Sequence, residues 1–224
     1  MIETFADEAA LAAAAAAATV DALSAGLAAR GHASLIGTGG RSPAPVYDLL
    51  SAAELDWGRV TVSLSDDRFV PATSPDSNAR LMRERLLQGR AAAATFLPLY
   101  SNAPSPQAAA DIAEPHTHAL APFDMLYLGM GEDGHIASLI PGSPVMEAGL
   151  EPVDDRYVIG VPAGVGSPPV ARISLTLPAL LQARVTLVLI RGDLKREIVE
   201  RGSGLPVHAL IKQAKAPLRV LWTP

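Results

Sequence analysis

The sequence predicts an α/β fold in which a doubly wound, mostly parallel sheet is flanked by helices, as in Rossmann-like proteins. Short apolar segments alternate with helical segments along the 224 residues, and this alternation is typical of parallel sheets. Residues 185–190 are apolar throughout, as expected of a central strand covered on both faces. The length suits one domain, and we expect residues 1–224 to form it.

The N-terminal half is predicted to alternate helices with strands. Apolar and β-branched segments predict strands at 32–36 and 60–64, with a weaker signal at 96–97. An acidic loop, 65–68, is expected directly after the second strand. Helical spacing and helix-starting residues predict four helices, over residues 5–30, 46–50, 74–87 and 105–120.

The C-terminal half is predicted to contain more strands than helices. A helix opens at Gly192-Asp193 and covers residues 194–200. The segment 160–171 is rich in proline and glycine and is expected to be one ordered loop rather than a linker. Strands are predicted at residues 124–128, 157–161, 172–176, 185–190 and 218–222.

Composition excludes several functional classes. Hydrophobic residues make up 49% of the chain and charged residues 18%, which indicates a globular rather than a disordered protein. The chain has no cysteine, so disulfides, thiolate catalysis and cysteine-based metal sites are excluded. The net charge of −5 argues against general nucleic-acid binding. The alanine run 12–18 is too weakly apolar for a membrane span, and no basic signal region precedes it, so we expect a cytoplasmic protein without membrane partners.

Four polar or glycine-rich segments follow predicted strands. Ligands of open α/β sheets bind at the carboxyl ends of the strands, near the point where strand order reverses. We therefore expect these segments to meet at one edge of the sheet: residues 37–43, 65–71, 129–141 and 191–196.

The segment 37–43 has two interpretations. Gly39 and Gly40 allow backbone N–H groups to face an anion, while Arg41 and Ser42 add a charge and a hydroxyl donor. The same glycines are equally compatible with a plain turn between a strand and a helix.

The segment 129–135 contains the pattern G-x-G-x-x-G, but it does not follow the first strand, and Pro141 leaves little room for a helix after it. This context argues against a dinucleotide site. Asp133 and His135 are more informative, because a carboxylate and an imidazole on one turn can share a hydrogen bond or face one substrate. The alternative is a surface turn with a solvated histidine.

Isolated charges near strand ends are weak signals. Asp66, Arg68, Arg172 and Lys195, taken singly, are typical of solvated surface residues, although Lys195 at a helix start has a better claim on an anion. A metal-dependent hydrolase is one further hypothesis, in which Asp66, Asp133 and His135 would bind an ion.

Five segments, in order, resemble the 6-phosphogluconolactonase family over nearly the whole chain. G-G-R-S-P at 39–43 is similar to that family's G-G-S-T-P, and D-D-R-F-V-P at 66–71 with D-S-N at 76–78 resembles its D-E-R-x-V-P…D-S-N. L-G-M-G-E-D-G-H-I-A-S-L-I-P at 128–141 resembles its most specific motif. R-I-S-L-T at 172–176 and G-D-L-K at 192–195 match its last two segments.

The resemblance implies the sugar-phosphate isomerase type of fold and hydrolysis of 6-phospho-D-glucono-1,5-lactone without metal or organic cofactor. It implies His135 as general base with Asp133 beside it, and Asp66 and Arg68 lining the pocket. The implied phosphate-binding residues are Gly39, Gly40, Ser42, Arg172 and Lys195. Arg41 is expected to join them with a charge, at a position where the family has a serine. The expected partner is this small phosphorylated lactone, and the expected assembly is a monomer or a small homo-oligomer.

Three positions depart from the family pattern: Arg41 replaces a serine, Asp67 replaces a glutamate and Ile140 replaces an aromatic residue. The related glucosamine-6-phosphate deaminases carry D-E-Y at 66–68 and a glutamate at 140. Ile140 cannot transfer a proton, which favours the lactonase interpretation over a deaminase-like isomerase. A non-catalytic phosphosugar-binding regulator is the other alternative, although no basic DNA-binding segment is present.

Overall fold

The computed structural model describes residues 2–224, with the exception of the side chain of residue 154. Ten strands alternate with helices along this part of the chain. The strands are β1 (Ile2–Thr4), β2 (Ala33–Gly37), β3 (Val60–Leu64), β4 (Asp66–Arg68), β5 (Thr95–Phe96), β6 (Met125–Gly129), β7 (Val158–Val161), β8 (Arg172–Leu175), β9 (Thr186–Arg191) and β10 (Leu218–Thr223). The α-helices are α1 (Glu8–Arg30), α2 (Ala44–Ser51), α3 (Asn78–Leu81), α4 (Pro106–Leu120), α5 (Met146–Leu150), α6 (Leu177–Leu180), α7 (Asp193–Arg201) and α8 (Pro206–Gln213).

Seven strands form a parallel sheet in the order β1-β10-β9-β6-β2-β3-β5. The predicted doubly wound, mostly parallel sheet is therefore confirmed. Strand β9 lies between β10 and β6 and is buried from Thr186 to Ile190, in agreement with its apolar sequence. The short edge strand β1 is missing from the prediction, because three residues carry no period that a sequence pattern can reveal.

The direction of strand addition reverses between β2 and β6. From β2 the chain adds β3 and β5 on one side, and from β6 it adds β9, β10 and β1 on the other. The segments that leave the carboxyl ends of β2 and β6 therefore separate and leave a crevice between them. Parallel sheets bind ligands in this kind of crevice.

A second, three-stranded antiparallel sheet has the order β4-β8-β7. Residues 66–68 form its edge strand, so the prediction of an acidic loop at this position is wrong. Three polar residues carry no hydrophobic alternation, and pairing with β8 decides their conformation. The pairing sets Arg68 opposite Arg172 and Asp66 opposite Ser174.

Helix α1 begins at Glu8 rather than at residue 5. The side chain of Asp7 accepts a hydrogen bond from the Ala10 N–H at 2.8 Å, and Gly31 ends the helix in the left-handed conformation. By length and composition alone α1 could cross a membrane, yet 39% of its most apolar window is buried inside the fold. The helix packs against α2 and β2.

The helix predicted over 74–87 begins later, at Asn78. The Ser77 side chain caps it by accepting from the Arg80 N–H, and the last residues, Met82–Leu86, form a π-helical turn. The sequence pattern does not predict helix α8. The predicted helix at 105–120 is confirmed as α4, with Ser105 as its N-cap.

Candidate functional site

A cleft of about 470 Å³ lies at the carboxyl edge of the parallel sheet, where strand order reverses. The segments that follow β2, β6 and β9 line it, together with β4 and β8 of the smaller sheet. The four segments expected to meet at one edge therefore do meet there. The cleft is lined by Gly39, Gly40, Arg41, Ser42, Asp66, Arg68, His135, Arg172 and Lys195, among others.

Asp133 and His135 form a hydrogen-bonded pair at the wall of the cleft. Asp133 Oδ1 lies 2.6 Å from His135 Nδ1 and also accepts from the His135 backbone N–H at 3.2 Å. Gly134 at φ 76° makes the turn that brings the two side chains together. His135 lines the cleft, whereas Asp133 is an exposed residue outside the cleft lining that forms a hydrogen bond with His135.

The same turn leaves no space for a side chain at residue 131. A Cβ atom built on Gly131 would lie 2.2 Å from His135 Nδ1 and 2.5 Å from Asp133 Oδ1. Burial has the largest single effect on the pKa of Asp133 and raises it. The His135 charge and the hydrogen bonds together outweigh burial, so the net pKa is lowered. The carboxylate therefore stays ionised beside the imidazole.

The glycine-rich loop after β2 forms the opposite wall. A Cβ atom on Gly39 would lie 1.9 Å from Asn78 Oδ1, so the loop approaches this amide as closely as glycine permits. Gly40 adopts φ 102°, a conformation that strongly favours glycine. Ser42 is half-buried and Arg41 is exposed, and both residues line the cleft.

Two arginines lie side by side on neighbouring strands of the smaller sheet. Arg68 on β4 and Arg172 on β8 are register partners, and their side chains share one face of the sheet. Like charges in directly opposed positions repel each other. Within the described part of the chain, Nε of each arginine is buried without a hydrogen-bond partner. Both observations fit a face built to receive an anionic or strongly polar ligand.

Asp66 provides part of the compensating charge. Its Oδ2 accepts a hydrogen bond from Ser138 Oγ at 2.5 Å and lies 4.0 Å from Arg172 Nη1. Burial lowers the pKa of Arg172, Asp66 raises it and Arg68 lowers it further. The Asp66 carboxylate thus offsets part of the charge of Arg172.

Lys195 is half-buried, in the first turn of α7. Burial lowers its pKa, Glu132 and Asp133 act in the opposite direction, and Arg41 lowers it. The charges of Arg41 and of the turn around Asp133 therefore lie close enough to Lys195 to change its pKa. The positive end of α7 and the Lys195 ammonium group together favour an anion.

Asp67, whose role the sequence leaves open, is buried on the other side of β4 and does not line the cleft. Its carboxylate accepts hydrogen bonds from the backbone N–H groups of Asn78 at 2.6 Å and Ala79 at 3.1 Å. Burial raises its pKa to about 6, the N–H donors oppose this shift, and Asp66 adds to it. Asp67 therefore connects β4 to the start of α3.

The sequence did not identify several residues at the cleft. Asn78 donates from Nδ2 to the Asp66 carbonyl at 2.9 Å and accepts from Arg68 Nη1 at 2.7 Å. Its position in the D-S-N motif was the available signal. Glu8 also lines the cleft, and no motif marks it. Arg191 lines the cleft as well; it lies in the expected segment 191–196, but no motif singles it out.

The hypothesis of an ion held by Asp66, Asp133 and His135 is not supported by the geometry. Among residues 2–224, apart from the side chain of residue 154, no three histidine or acidic side chains are grouped closely enough to hold a metal ion. Asp66 instead pairs with Ser138 and Arg172.

Comparison with known proteins places the chain among sugar-phosphate enzymes. It is 42% identical over 211 residues to a 6-phosphogluconolactonase of Caulobacter vibrioides, an alignment that covers 93% of this chain and 91% of that protein. It is also 42% identical over 205 residues to a 6-phosphogluconolactonase of Pseudomonas aeruginosa, covering 88% of this chain and 84% of the relative.

A crystal structure of a 6-phosphogluconolactonase from Shewanella baltica superimposes with a TM-score of 0.92 at 32% identity, covering 100% of this chain and 97% of the other. A monomeric glucosamine-6-phosphate deaminase has the same fold, with a TM-score of 0.79 at 18% identity over 99% of this chain and 96% of the other. The model of the glucosamine-6-phosphate isomerases/6-phosphogluconolactonase family matches residues 6–222. The chain belongs to this family.

Proposed function

We propose that this protein hydrolyses 6-phospho-D-glucono-1,5-lactone to 6-phospho-D-gluconate. The observation that carries the proposal is the shared cleft, in which an imidazole paired with a carboxylate faces the same space as Arg68, Arg172 and Lys195. An ester hydrolase requires a base near the carbonyl carbon, and a phosphorylated substrate requires cations at a distance from it. The names of the relatives support the same activity.

His135 acts as the general base in this proposal. Asp133 accepts the hydrogen bond from Nδ1–H, and this tautomer leaves the lone pair on Nε2 free. Nε2 takes a proton from water, and the water oxygen attacks C1 of the lactone. General-base action of this kind contributes about 10²–10⁴ to the rate.

The attack produces a tetrahedral oxyanion, which requires a preorganised donor. Arg68, or a backbone N–H of the 129–135 turn, supplies this donor, and removing one such donor typically costs about 10²–10³ in rate. The C1–ring oxygen bond then breaks, and the ring oxygen takes the proton from Nε2. The products are the ring-opened hydroxyl and a carboxylic acid that ionises in water, so no cofactor enters the balance.

The phosphoryl group binds at the cationic parts of the cleft. The proposed binding residues are Gly39, Gly40, Arg41, Ser42, Arg172 and Lys195. Their contribution is orientation, because a substrate anchored at its phosphoryl end presents C1 to His135. Asp66 lines the same cleft and is proposed to accept hydrogen bonds from sugar hydroxyl groups.

The remaining expectations are part of the same proposal. A single domain over residues 1–224 is supported by one continuous hydrophobic core, which includes Leu126 of the large sheet and Ile173 of the small one. We further propose a cytoplasmic enzyme that acts on a small molecule as a monomer or small homo-oligomer.

Lactone hydrolysis measured against its spontaneous rate tests the proposal. We expect rapid turnover of 6-phospho-D-glucono-1,5-lactone and poor turnover of unphosphorylated D-glucono-1,5-lactone. Equal use of both lactones would refute the phosphoryl site. Release of ammonia from glucosamine 6-phosphate would instead identify a deaminase-like isomerase, and binding of 6-phosphogluconate without turnover would identify a regulator.

A further inference from the structure

An ion pair crosses the rim of the cleft between distant parts of the chain. Arg191 Nη1 donates to Glu8 Oε1, and both residues line the cleft. The side chains are 63% and 52% exposed, respectively, so water reaches both partners. Neither residue belongs to a motif of the chain, and the catalytic proposal uses neither.

The topology explains why these residues meet at the substrate cleft. Strand β1 is parallel to β10, so the chain leaves β1 at the same edge of the sheet as the ligand-binding segments. β1 ends at Thr4, and Glu8 is the first residue of α1, which follows it. Arg191 is the last residue of β9 and precedes Gly192 and α7, the helix that carries Lys195.

Breaking the ion pair between Arg191 and Glu8 has a low cost in stability. An exposed ion pair contributes little to stability, since water screens it and ordering two long side chains has an entropic cost. Glu8 also lies in the first turn of α1, where the helix dipole stabilises its charge without Arg191. A phosphoryl group carries a charge of about −1.5 to −2 and three acceptor oxygens, which makes it a stronger partner for a guanidinium group than one carboxylate.

We propose that Arg191 is an additional phosphoryl-binding residue and that Glu8 holds its guanidinium group at the rim until the substrate replaces the carboxylate. This inference rests on the proposed function, since it requires a phosphorylated ligand in the cleft. Arg191 adds a cation next to the α7 terminus and Lys195. Glu8 lowers the affinity for the ligand by competing with it.

Calorimetric titration with 6-phosphogluconate tests this exchange in the wild type, Glu8→Gln, Arg191→Gln and the double variant. We expect Arg191→Gln to weaken binding by about tenfold, as for loss of one charge-assisted hydrogen bond. Glu8→Gln should strengthen binding by about two- to fivefold, the range that corresponds to breaking one exposed ion pair. The gain from Glu8→Gln should largely disappear in the Arg191→Gln background.

Glu3→Gln is the matched control. Glu3 pairs with Arg219 on the neighbouring strands β1 and β10, outside the cleft lining, and its substitution removes the same charge from the same N-terminal segment. Its effect on binding measures the general influence of net charge, and we expect it to be small. Unphosphorylated gluconate serves as the second probe, and its binding should not respond to either rim substitution.

Two results would overturn the inference: unchanged 6-phosphogluconate affinity in Arg191→Gln, or the same gain from Glu8→Gln with and without Arg191. In both cases a wild type that still prefers 6-phosphogluconate to gluconate would leave the proposed function standing. A wild type without this preference would refute the phosphoryl site itself.

Discussion

Asp133 Oδ1 lies 2.6 Å from His135 Nδ1, and the two residues are separated by a single glycine. In the proposed mechanism the carboxylate accepts the Nδ1 hydrogen of the imidazole, and Nε2 is the proton acceptor. His135 lines the cleft, and the proposal therefore places the attacking water molecule beside Nε2. The proposed mechanism depends on this relationship.

Replacement of the base should abolish most of the activity. We expect His135→Ala to lower kcat for the phosphorylated lactone by at least about a hundredfold, because general-base catalysis typically contributes 10²–10⁴. Circular dichroism should show an intact fold. His32→Ala is the control, since His32 is exposed and does not line the cleft. A nearly unchanged rate in His135→Ala would refute the assignment.

A methyl group at residue 131 should displace the pair. The new Cβ of Gly131→Ala would lie 2.2 Å from His135 Nδ1, so the imidazole must move, and a displacement of about 1 Å can lower kcat by about a hundredfold. Gly58→Ala is the matched control, because the nearest atom to its new Cβ is 3.7 Å away and Gly58 does not line the cleft. Equal activity of both variants would contradict the proposed role of this contact.

Loss of Lys195 should mainly weaken substrate binding. We expect Lys195→Ala to raise KM for the phosphorylated lactone by about tenfold or more, with a smaller effect on kcat, because a charged hydrogen bond is lost. Lys212→Ala removes an exposed lysine from α8 and should leave KM unchanged. A fall in kcat with constant KM would argue against binding of the phosphoryl group by Lys195.

Lys195 should also make binding sensitive to alkaline pH. Burial lowers its pKa, so the ammonium group loses its proton at a lower pH than an ordinary lysine, whose pKa is about 10.4. Affinity for 6-phosphogluconate should therefore decrease as pH rises toward 10. Lys195→Arg keeps its charge throughout this range, and its affinity should change less. Identical pH profiles of the two proteins would exclude Lys195 as the titrating group.

Asp67 should make the free energy of unfolding depend on pH. Its folded pKa of about 6 lies above the unfolded value of about 3.9, so Asp67 favours the folded state most below pH 4. This contribution decreases as pH rises through 6, by up to roughly 3 kcal/mol.

Denaturant unfolding of the wild type and Asp67→Asn between pH 4 and 7 measures this contribution. The stability advantage of the wild type should shrink as pH rises. Asp21→Asn, at an exposed position of α1, is the control for removing one carboxylate from the protein surface. A pH-independent difference between the wild type and Asp67→Asn would contradict the raised pKa.

Much of the parallel sheet could be predicted because its strands are apolar and buried. Residues 60–64 and the strand near 186–190 carry enough local pattern to identify themselves. Strands β1 and β4 could not be predicted in the same way. The first has three residues, and the second is polar, so pairing with distant strands determines both.

The sequence by itself determined the fold class, the family and the residues of the glycine loop and the 129–135 turn. These features depend on local patterns: hydrophobic period, turn glycines and closely spaced side chains. Only the tertiary structure decided that Arg68 opposes Arg172, that Asp67 faces away from the cleft and that Glu8 meets Arg191. These contacts join segments up to 183 positions apart, and strand order and register, which no local pattern encodes, bring them together.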